Sequence, residues 1–515
     1  MNNKLAARQI LQNDFAIVTV LALFKLIFHL ATSSGYGYFR DELYYIAASK
    51  HLAWGYVDFP PFVAFITAIT RILFGESLFA LHLFPALAGA LIVLLTGLMA
   101  RELGGGKLAQ GLAALAVLVA PQFLAFGALL TMDAFYQLWW ALAAYVVILI
   151  FKRDDPRLWL AFGIVAGIGL MTKVTMAYFG GALVVGILLT PHRKYLASKW
   201  LWLGGVIALV IFSPYILWQI ANGFPTLDFW KMYASGKTYP VTPLEFIAQQ
   251  IIIMNPLLLP LWLAGSVYYL FARDGIKHRP LGIAYVILFV VFMLQQAKSY
   301  FLAPAYPMLF AAGAFALEQF IARRAWSWLK PTYATLLIVS GALMAPMAMP
   351  LLPVEMFIEY TQPLGNDAGI KQERLQTAEL PQLFADQFGW EEMTATVARV
   401  YRGLSPQEQA QACIFTENYG EAGAIDFFGK KYGLPNATSG HNSYWLWGPA
   451  ACTGEIVIGV GIQRQDWEGV FARVAPADVV HCQYCMPYEN NRPVYLGRDL
   501  QIPLKANWIR VRHYD

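Results

Sequence analysis

The chain has 515 residues, of which 58% are hydrophobic and only 13% are charged, and its formal net charge at pH 7 is +5. A soluble chain of this composition would expose large apolar patches to water, so the composition excludes secreted and cytosolic proteins and indicates a membrane protein. The modest positive charge is explained by basic loops between apolar segments, and we expect no nucleic-acid partner.

Apolar segments of about 20 residues, the length that crosses the hydrocarbon of a bilayer as a helix, recur over residues 1–352. Single segments lie at 15–33, 78–100, 201–220, 247–271 and 332–352. Three longer tracts, at 110–151, 158–190 and 281–321, exceed the length of one helix and are interpreted as hairpins of two spans each. The sequence therefore predicts a polytopic α-helical membrane protein with about 11 transmembrane helices.

The segment 34–77, between the first two predicted spans, is too long and too rich in polar residues to be a simple loop. Its parts 41–53 and 61–74 place apolar residues at helical spacing with polar partners, which predicts helices that lie in the membrane interface. This outer loop contains Arg40, Asp41, Glu42, Tyr44 and Asp58.

Other polar residues fall at the tips of the predicted hairpins, namely Asp133, Lys173, Lys298 and Tyr300. Ionisable groups next to apolar spans cost about 2.5–3.5 kcal/mol each to insert, so they tend to mark functional cavities. Within residues 1–352, short loops on the opposite side collect most of the Lys and Arg residues. This predicts a cytoplasmic N-terminus and places these tips on the outer face with Asp41. Carboxylates together with cations fit a substrate that offers a hydroxyl and an anionic group.

Four segments together resemble motifs of one enzyme family. They are Tyr38-Phe39-Arg40-Asp41-Glu42-Leu43-Tyr44-Tyr45, Asp58-Phe59-Pro60-Pro61, Thr131-Met132-Asp133 and Lys298-Ser299-Tyr300-Phe301-Leu302-Ala303-Pro304-Ala305-Tyr306-Pro307. The family is glycosyltransferase family 39, a group of GT-C membrane enzymes that includes protein O-mannosyltransferases and the bacterial lipid A aminoarabinose transferase. The resemblance covers residues 1–350 in order. It implies a GT-C fold in the bacterial inner membrane and inverting transfer of a sugar from a polyprenyl-phosphate donor to a lipid, glycan or protein acceptor at the periplasmic face.

The resemblance also implies roles for single residues. Asp41 would be the general base that takes the proton of the acceptor hydroxyl, with Glu42 and Asp133 as supporting acids. The phosphate leaving group needs positive charge and hydrogen-bond donors around it. The candidates to bind the phosphate or the sugar are Lys298, Tyr300, Arg40, Lys173, Tyr44 and Asp58.

The aminoarabinose transferase branch of the family has a lysine before its Pro-Pro pair, where this chain has Phe59. A phosphate contact is thereby lost, and the identity of the sugar stays open. We expect no required cofactor and no metal site, with a divalent ion as the alternative.

After Pro353 the composition becomes mixed and polar, which predicts a separate domain over 353–515 on the periplasmic side. Helical spacing at 391–411, a short apolar run at 412–415, a further helix candidate at 420–431 and a strand-like run at 455–460 predict an α/β domain. This segment contains all four cysteines, which suits an oxidising compartment. We expect disulfides Cys413–Cys452 and Cys482–Cys485, with a zinc site of four thiolates as the alternative.

Simpler interpretations stay open at each site. The pair Asp41-Glu42 and the residue Asp133 could cap helices, whereas Lys173, Lys298 and Tyr300 could be interfacial anchors. Lys25 and His29, inside the first span, require a protein partner that the sequence does not name. The segment 441–447 could stack on sugar rings or pack in a core. At the level of function, the rival classes are a transporter or flippase of lipid-linked sugars and a non-catalytic envelope scaffold.

Overall fold

The computed structural model describes residues 15–236, 239–364, 376 and 379–515. These residues form two compact units. The first unit contains the described residues up to Ser33, together with Phe79–Ile216 and Pro240–Leu351. The second unit contains Ser34–Leu78, Leu217–Tyr239 and Leu352–Asp515, so it joins the predicted outer loop to the predicted C-terminal domain.

The helices and strands of the described residues are given in chain order. The helices are α1 (Ala16–Ala31), α2 (Arg40–Ala48), α3 (Phe62–Phe74), α4 (Leu78–Glu102), α5 (Lys107–Val119), α6 (Pro121–Gly127), α7 (Met132–Arg153), α8 (Leu158–Thr172), α9 (Met176–Leu188), α10 (Lys199–Ala221), α11 (Pro225–Gly236), α12 (Pro243–Ile253), α13 (Leu259–Phe271), α14 (Arg279–Leu294), α15 (Tyr306–Arg324), α16 (Leu329–Met344), α17 (Val354–Thr361), α18 (Gln382–Ala385), α19 (Trp390–Arg402), α20 (Pro406–Gln411), α21 (Tyr419–Phe428), α22 (Asn442–Trp447), α23 (Arg464–Trp467) and α24 (Leu504–Asn507). The strands are β1 (Ala412–Thr416), β2 (Ala437–Ser439), β3 (Ile456–Val460), β4 (Phe471–Val480) and β5 (Arg492–Leu500).

The chain is a multi-pass helical membrane protein. By length and composition, 5 helical segments among the described residues can cross a membrane, and the number rises to 7 if two bent pairs of helices each count as one span. Four shorter apolar helices, α1, α3, α8 and α9, have 10–17 residues. The expected number of 11 spans stays a prediction, because length and composition alone do not assign these short helices to the membrane.

The three long apolar tracts are divided into separate helices, as the hairpin interpretation predicts. The tract 158–190 divides between α8 and α9 at Lys173, and the tract 281–321 divides at a short 3-10 helix, Ser299–Ala305. The segment 247–271, predicted as one span, is broken in the structure, because α12 and α13 meet at an angle of 93°. The single span at this position stays a prediction. Asn255 at this bend has a φ of +72° and precedes Pro256, which cannot continue a helix from the preceding turn.

Lys25 and His29 form hydrogen bonds with backbone carbonyls of the first unit. Nζ of Lys25 donates a hydrogen bond of 2.9 Å to the carbonyl oxygen of Phe123, and Nε2 of His29 lies 3.1 Å from the carbonyl oxygen of Leu124. Both carbonyls belong to α6, and Leu124 lies in its last turn, where the carbonyls have no partner within the helix. The two polar residues of the first predicted span therefore support a break in a neighbouring helix.

The C-terminal part of the second unit contains a five-stranded sheet of order β2-β1-β3-β5-β4. The strands β2, β1 and β3 are parallel, with Ile414 paired to Ala437 and to Ile458, whereas β5 is antiparallel to both β3 and β4. Helix α19 packs against β3 and β4, and helix α21 packs against β1 and β2. The expected α/β domain is confirmed.

The cysteines pair as expected, with disulfides Cys413–Cys452 and Cys482–Cys485. The alternative of a zinc site with four thiolates is wrong, since a disulfide sulfur is no thiolate ligand.

Candidate active site

Asp41 lies in the first turn of α2, where the helix dipole favours a negative charge. Its Oδ1 accepts a hydrogen bond of 2.9 Å from the hydroxyl of Tyr419 and lies 3.7 Å from Nε of Arg40. The side chain of Asp41 is 30% exposed. The predicted base is therefore an oriented carboxylate that solvent can still reach.

Glu42, its neighbour, is placed differently. Its side chain is fully buried, and Oε2 accepts a hydrogen bond of 2.9 Å from the backbone N–H of Phe39. This contact closes the N-terminus of α2 in the manner of a capping box. The simple interpretation, an acidic helix cap, therefore applies to Glu42, and its role as a supporting acid stays a prediction.

Arg40 is held within the second unit by acceptors of its own. Nη1 donates a hydrogen bond of 2.8 Å to the hydroxyl of Tyr488, and Nη2 lies 3.9 Å from Oδ2 of Asp386. Burial alone would lower the pKa of Arg40, but the carboxylate of Asp386 and other neighbours raise it well above its usual range. Because its charge is compensated here, Arg40 is a weaker candidate for binding a phosphate than a solvent-facing cation would be.

The buried Tyr44 of α2 pairs with the half-buried Asp58. The hydroxyl of Tyr44 donates a hydrogen bond of 3.0 Å to Oδ1 of Asp58 and accepts one of 3.0 Å from the backbone N–H of Ser443. The ring of Tyr44 lies parallel to that of Tyr419, with centroids 4.6 Å apart. Burial, followed by the charge of Asp58, raises the pKa of Tyr44 well above its usual range, so the phenol stays protonated as a donor.

A second group of predicted residues lies in the first unit. Nζ of Lys173 is 2.5 Å from Oδ1 of Asp133, and these two side chains are only 9% and 11% exposed. Nζ of Lys173 also lies 4.8, 5.2 and 4.5 Å from the ring centroids of Tyr136, Tyr300 and Phe301, respectively. The charge of Asp133 is therefore compensated by a lysine surrounded by aromatic rings.

Lys298 lies at the edge of this second group. Its Nζ is 5.9 Å from the ring centroid of Tyr300, and the residue is partly exposed. The backbone around it is fixed by two hydrogen bonds, 3.0 Å from the hydroxyl of Tyr136 to the carbonyl of Tyr300 and 2.8 Å from Nε2 of Gln250 to the carbonyl of Ser299. Lys298 is therefore the more accessible of the two predicted lysines.

Several contacts of the acidic motif come from residues that the sequence did not single out. Tyr419, Asp386 and Tyr488 contact α2, although they lie more than 300 positions away along the chain. The segment 441–447 was noticed for its aromatic residues, and in the structure Tyr444 is buried against Tyr44. The core-packing interpretation of that segment therefore applies to Tyr444.

One group of possible metal ligands occurs among the described residues. The ligand atoms of His441, His513 and Asp515 lie within 4.8 Å of one another. Both ring nitrogens of His513 lie 3.0 Å from carbonyl oxygens, those of Val511 and Glu417, and these oxygens only accept hydrogen bonds. A neutral imidazole carries one N–H, so only one of these two contacts can be a hydrogen bond that His513 donates. The expectation that no metal is required stays a prediction.

A cavity of about 200 Å³ adjoins these histidines in the second unit. Its walls include Arg40, Tyr419 and Arg492, and all of the lining side chains are charged, polar or aromatic. Arg492 is paired with Glu417 and lies 3.8 Å from Oε1 of Glu421. A cavity of this character suits hydroxyl groups better than a lipid chain.

Comparison with known proteins gives partial matches to membrane sugar transferases. The family model for dolichyl-phosphate-mannose-protein mannosyltransferases matches residues 58–218. A lipopolysaccharide core galacturonosyltransferase from Rhizobium johnstonii is 29% identical over 231 residues, which cover 43% of this chain and 45% of that protein. An undecaprenyl phosphate-alpha-4-amino-4-deoxy-L-arabinose arabinosyl transferase from Pseudomonas fluorescens is 26% identical over 171 residues, which cover 32% and 30%. The chain thus spans less than half the length of these curated relatives.

Solved structures match over far more of the chain. ArnT from Cupriavidus metallidurans, bound to undecaprenyl phosphate, superposes with a TM-score of 0.62 at 16% identity, covering 93% of this chain and 97% of that one. The chain therefore has the GT-C fold of this transferase. An oligosaccharyltransferase from Archaeoglobus fulgidus shares the GT-C fold more distantly, with a TM-score of 0.51 at 14% identity over 80% of this chain and 63% of that one.

The predicted GT-C fold is therefore confirmed, and the partial matches bear out the resemblance to membrane glycosyltransferases. The family-model match of this GT-C protein includes Asp58, Asp133 and Lys173, whereas Asp41 and Lys298 lie outside residues 58–218. The roles of the individual site residues stay predictions.

Proposed function

We propose that the protein is an inverting glycosyltransferase that moves a sugar from a polyprenyl-phosphate-linked donor to the hydroxyl of an acceptor. The observation that carries the proposal is the carboxylate of Asp41, which is held by Tyr419 and still reached by solvent. The printed names of two relatives support the same class of reaction, since one is a galacturonosyltransferase and the other an arabinosyl transferase that uses undecaprenyl phosphate.

In the proposed step, Asp41 takes the proton of the acceptor hydroxyl while the hydroxyl oxygen attacks the anomeric carbon. The bond from that carbon to the phosphate oxygen breaks, and the polyprenyl phosphate leaves as an anion. Attack from the face opposite the leaving group inverts the configuration of the sugar. A single carboxylate can serve as the base. No general acid is needed, because the phosphate leaves as an anion that cations and hydrogen-bond donors stabilise.

The leaving phosphate needs cations and donors. We assign Lys298 first to this role, because it is partly exposed whereas the side chain of Lys173 is only 9% exposed. Tyr300 and Lys173 complete the group around it, and Arg40, Tyr44 and Asp58 serve instead to hold α2. The acceptor is a lipid, a glycan or a protein, and the polar cavity beside α2 supports one with a hydroxylated head group.

The proposed location is the bacterial inner membrane, with the N-terminus in the cytoplasm and the C-terminal domain in the periplasm. We further propose that transfer needs no metal or other cofactor.

The test begins with mass spectrometry of envelope lipids and glycans from cells with and without the gene. The sugar that disappears identifies the polyprenyl-phosphate donor for a reconstituted reaction with the purified full-length chain. In that reaction, Asp41→Asn should lower turnover by roughly 10²- to 10⁴-fold, the usual contribution of a general base. Binding of undecaprenyl phosphate by the variant should be unchanged.

The matched control is Asp228→Asn, which removes an exposed carboxylate from the same unit. It should keep full turnover. If Asp41→Asn transfers sugar at the normal rate, Asp41 is not the base. If the envelope of the deletion strain lacks no sugar but lipid-linked sugars accumulate on one side of the membrane, the protein is a transporter.

A further inference from the structure

We propose that Tyr419, from the C-terminal domain, is a positioning residue for Asp41 and so belongs to the working active site. This inference rests on the proposed function, since it assigns Asp41 the role of base. It goes beyond that function by giving the C-terminal domain a part in the chemistry.

The contact between the two side chains is direct. The hydroxyl of Tyr419 donates a hydrogen bond of 2.9 Å to Oδ1 of Asp41, across 378 positions of sequence. Tyr419 is the first residue of α21 and is itself 9% exposed. A buried donor therefore meets one oxygen of a carboxylate whose remaining surface is accessible.

Tyr419 is held in place from several directions. Its ring lies parallel to that of Tyr44, and Cζ of Arg40 lies 5.5 Å from its ring centroid. Its backbone N–H donates a hydrogen bond of 3.3 Å to Nδ1 of His441. The ring and the backbone are thus both fixed, so the direction of the hydroxyl is set by the fold rather than by Asp41.

Two glycines let α21 approach α2 closely enough for this contact. A Cβ atom at Gly423 would lie 2.9 Å from the carbonyl carbon of Leu43, and one at Gly420 would lie 2.5 Å from Cγ of Arg40. Contacts this short are not tolerated against backbone, so a larger residue at Gly423 would push the two helices apart. The spacing of Tyr419 and Asp41 therefore depends on small residues in the first two turns of α21.

The hydrogen bond has one consequence for a carboxylate that acts as a base. Donation to Oδ1 fixes the plane of the carboxylate and so the direction of the lone pairs of both oxygens. A carboxylate without this donor would rotate more freely.

The test uses Tyr419→Phe, which removes the hydroxyl and keeps the ring that stacks on Tyr44. Turnover is measured by mass spectrometry in detergent-permeabilised membranes of the deletion strain, which supply the natural donor and acceptor. We expect turnover to fall by roughly 10- to 100-fold, as for the loss of one hydrogen bond to a charged group. The loss should fall on kcat rather than on KM, and binding of undecaprenyl phosphate should be unchanged.

Tyr444→Phe is the matched control. It removes a hydroxyl from the same domain, also donated to a carboxylate at 2.8 Å, but that carboxylate is Asp426 rather than Asp41. The control should keep both its kcat and its KM. A purely structural role for Tyr419 predicts that the two variants behave alike, and that result would overturn the proposal.

A double variant separates this inference from the proposed function. Asp41→Asn combined with Tyr419→Phe should be no slower than Asp41→Asn alone, because Tyr419 acts through Asp41. Normal turnover of Tyr419→Phe beside an inactive Asp41→Asn refutes the inference and leaves the proposed function intact. Active Asp41→Asn refutes both. Loss of undecaprenyl phosphate binding in Tyr419→Phe would show a general disruption and would also overturn the inference.

Discussion

The ion pair between Asp133 and Lys173 permits a strong prediction, because both side chains are about nine-tenths buried and their charged atoms lie 2.5 Å apart. Removing one partner leaves the other charge buried without compensation, which costs about 3–5 kcal/mol. We therefore expect Asp133→Leu and Lys173→Met each to be strongly destabilising. The double variant removes both charges and should be more stable than either single variant.

The measurement is thermal unfolding of the purified full-length chain in detergent, followed by tryptophan fluorescence. The variants are compared by the order of their unfolding midpoints. A free energy of unfolding is not used, because a chain of two units need not unfold in one step. A control cycle on Asp228 and Lys231, which are 45% and 79% exposed and 3.8 Å apart, should show a coupling of at most about 1 kcal/mol. The reasoning is refuted if the double variant at 133 and 173 is no more stable than the worse single variant.

The remaining predictions concern helix packing and pH. Gly204→Ala should lower the unfolding midpoint, by an amount equivalent to about 1–3 kcal/mol, because its Cβ would lie 2.2 Å from the carbonyl oxygen of Trp159. Gly205→Ala, with no atom within 4 Å of its Cβ, should not lower it. Burial raises the pKa values of Glu421 and Glu489 in the folded protein. Their contribution to the free energy of unfolding is therefore fully present below the usual glutamate pKa of about 4.3, where both carboxyls are protonated. This contribution is lost as pH rises through the raised pKa values. Glu489→Gln should therefore flatten the fall in unfolding midpoint between about pH 4.5 and 8, and equal slopes would contradict this.

The membrane part was largely predictable because its signal is local. Length and apolarity locate helices, and the polar tips at Asp133, Lys173 and Lys298 coincide with helix ends or short connections in the structure. The bend at Asn255 was missed because the apolar run continues through it. Asn255 donates a hydrogen bond of 2.9 Å to Oγ of Ser340, so a residue 85 positions away supports the bend.

Only two of the five strands of the C-terminal sheet, β1 and β3, could be predicted from the sequence, for a physical reason. The strands β1 and β3 are buried almost throughout and therefore read as apolar runs. In contrast, β4 is a mostly exposed edge strand that contains Pro476, and β2 has only three residues. Neither has the alternating pattern by which a strand is recognised.

The acidic motif shows where prediction from one sequence stops. Its residues stand together in the chain and could be found, but the donor that orients Asp41 lies 378 positions away at the start of another helix. Nothing in the sequence around a tyrosine at the first position of a helix indicates such a contact. A single sequence contains no record of which distant residues vary together, so this pairing required the structure.

Composition and packing divide the second unit in different ways. The change to a polar composition near residue 353 separates the tail from everything before it. In the structure, however, the ring of Tyr36 packs against Phe384 and Phe388, and the ring of Tyr38 packs against Phe427. The outer loop therefore completes the apolar core of the C-terminal domain. A scaffold whose tail acted alone would have no need of these contacts, whereas an enzyme whose base sits on that loop gains a rigid frame for it.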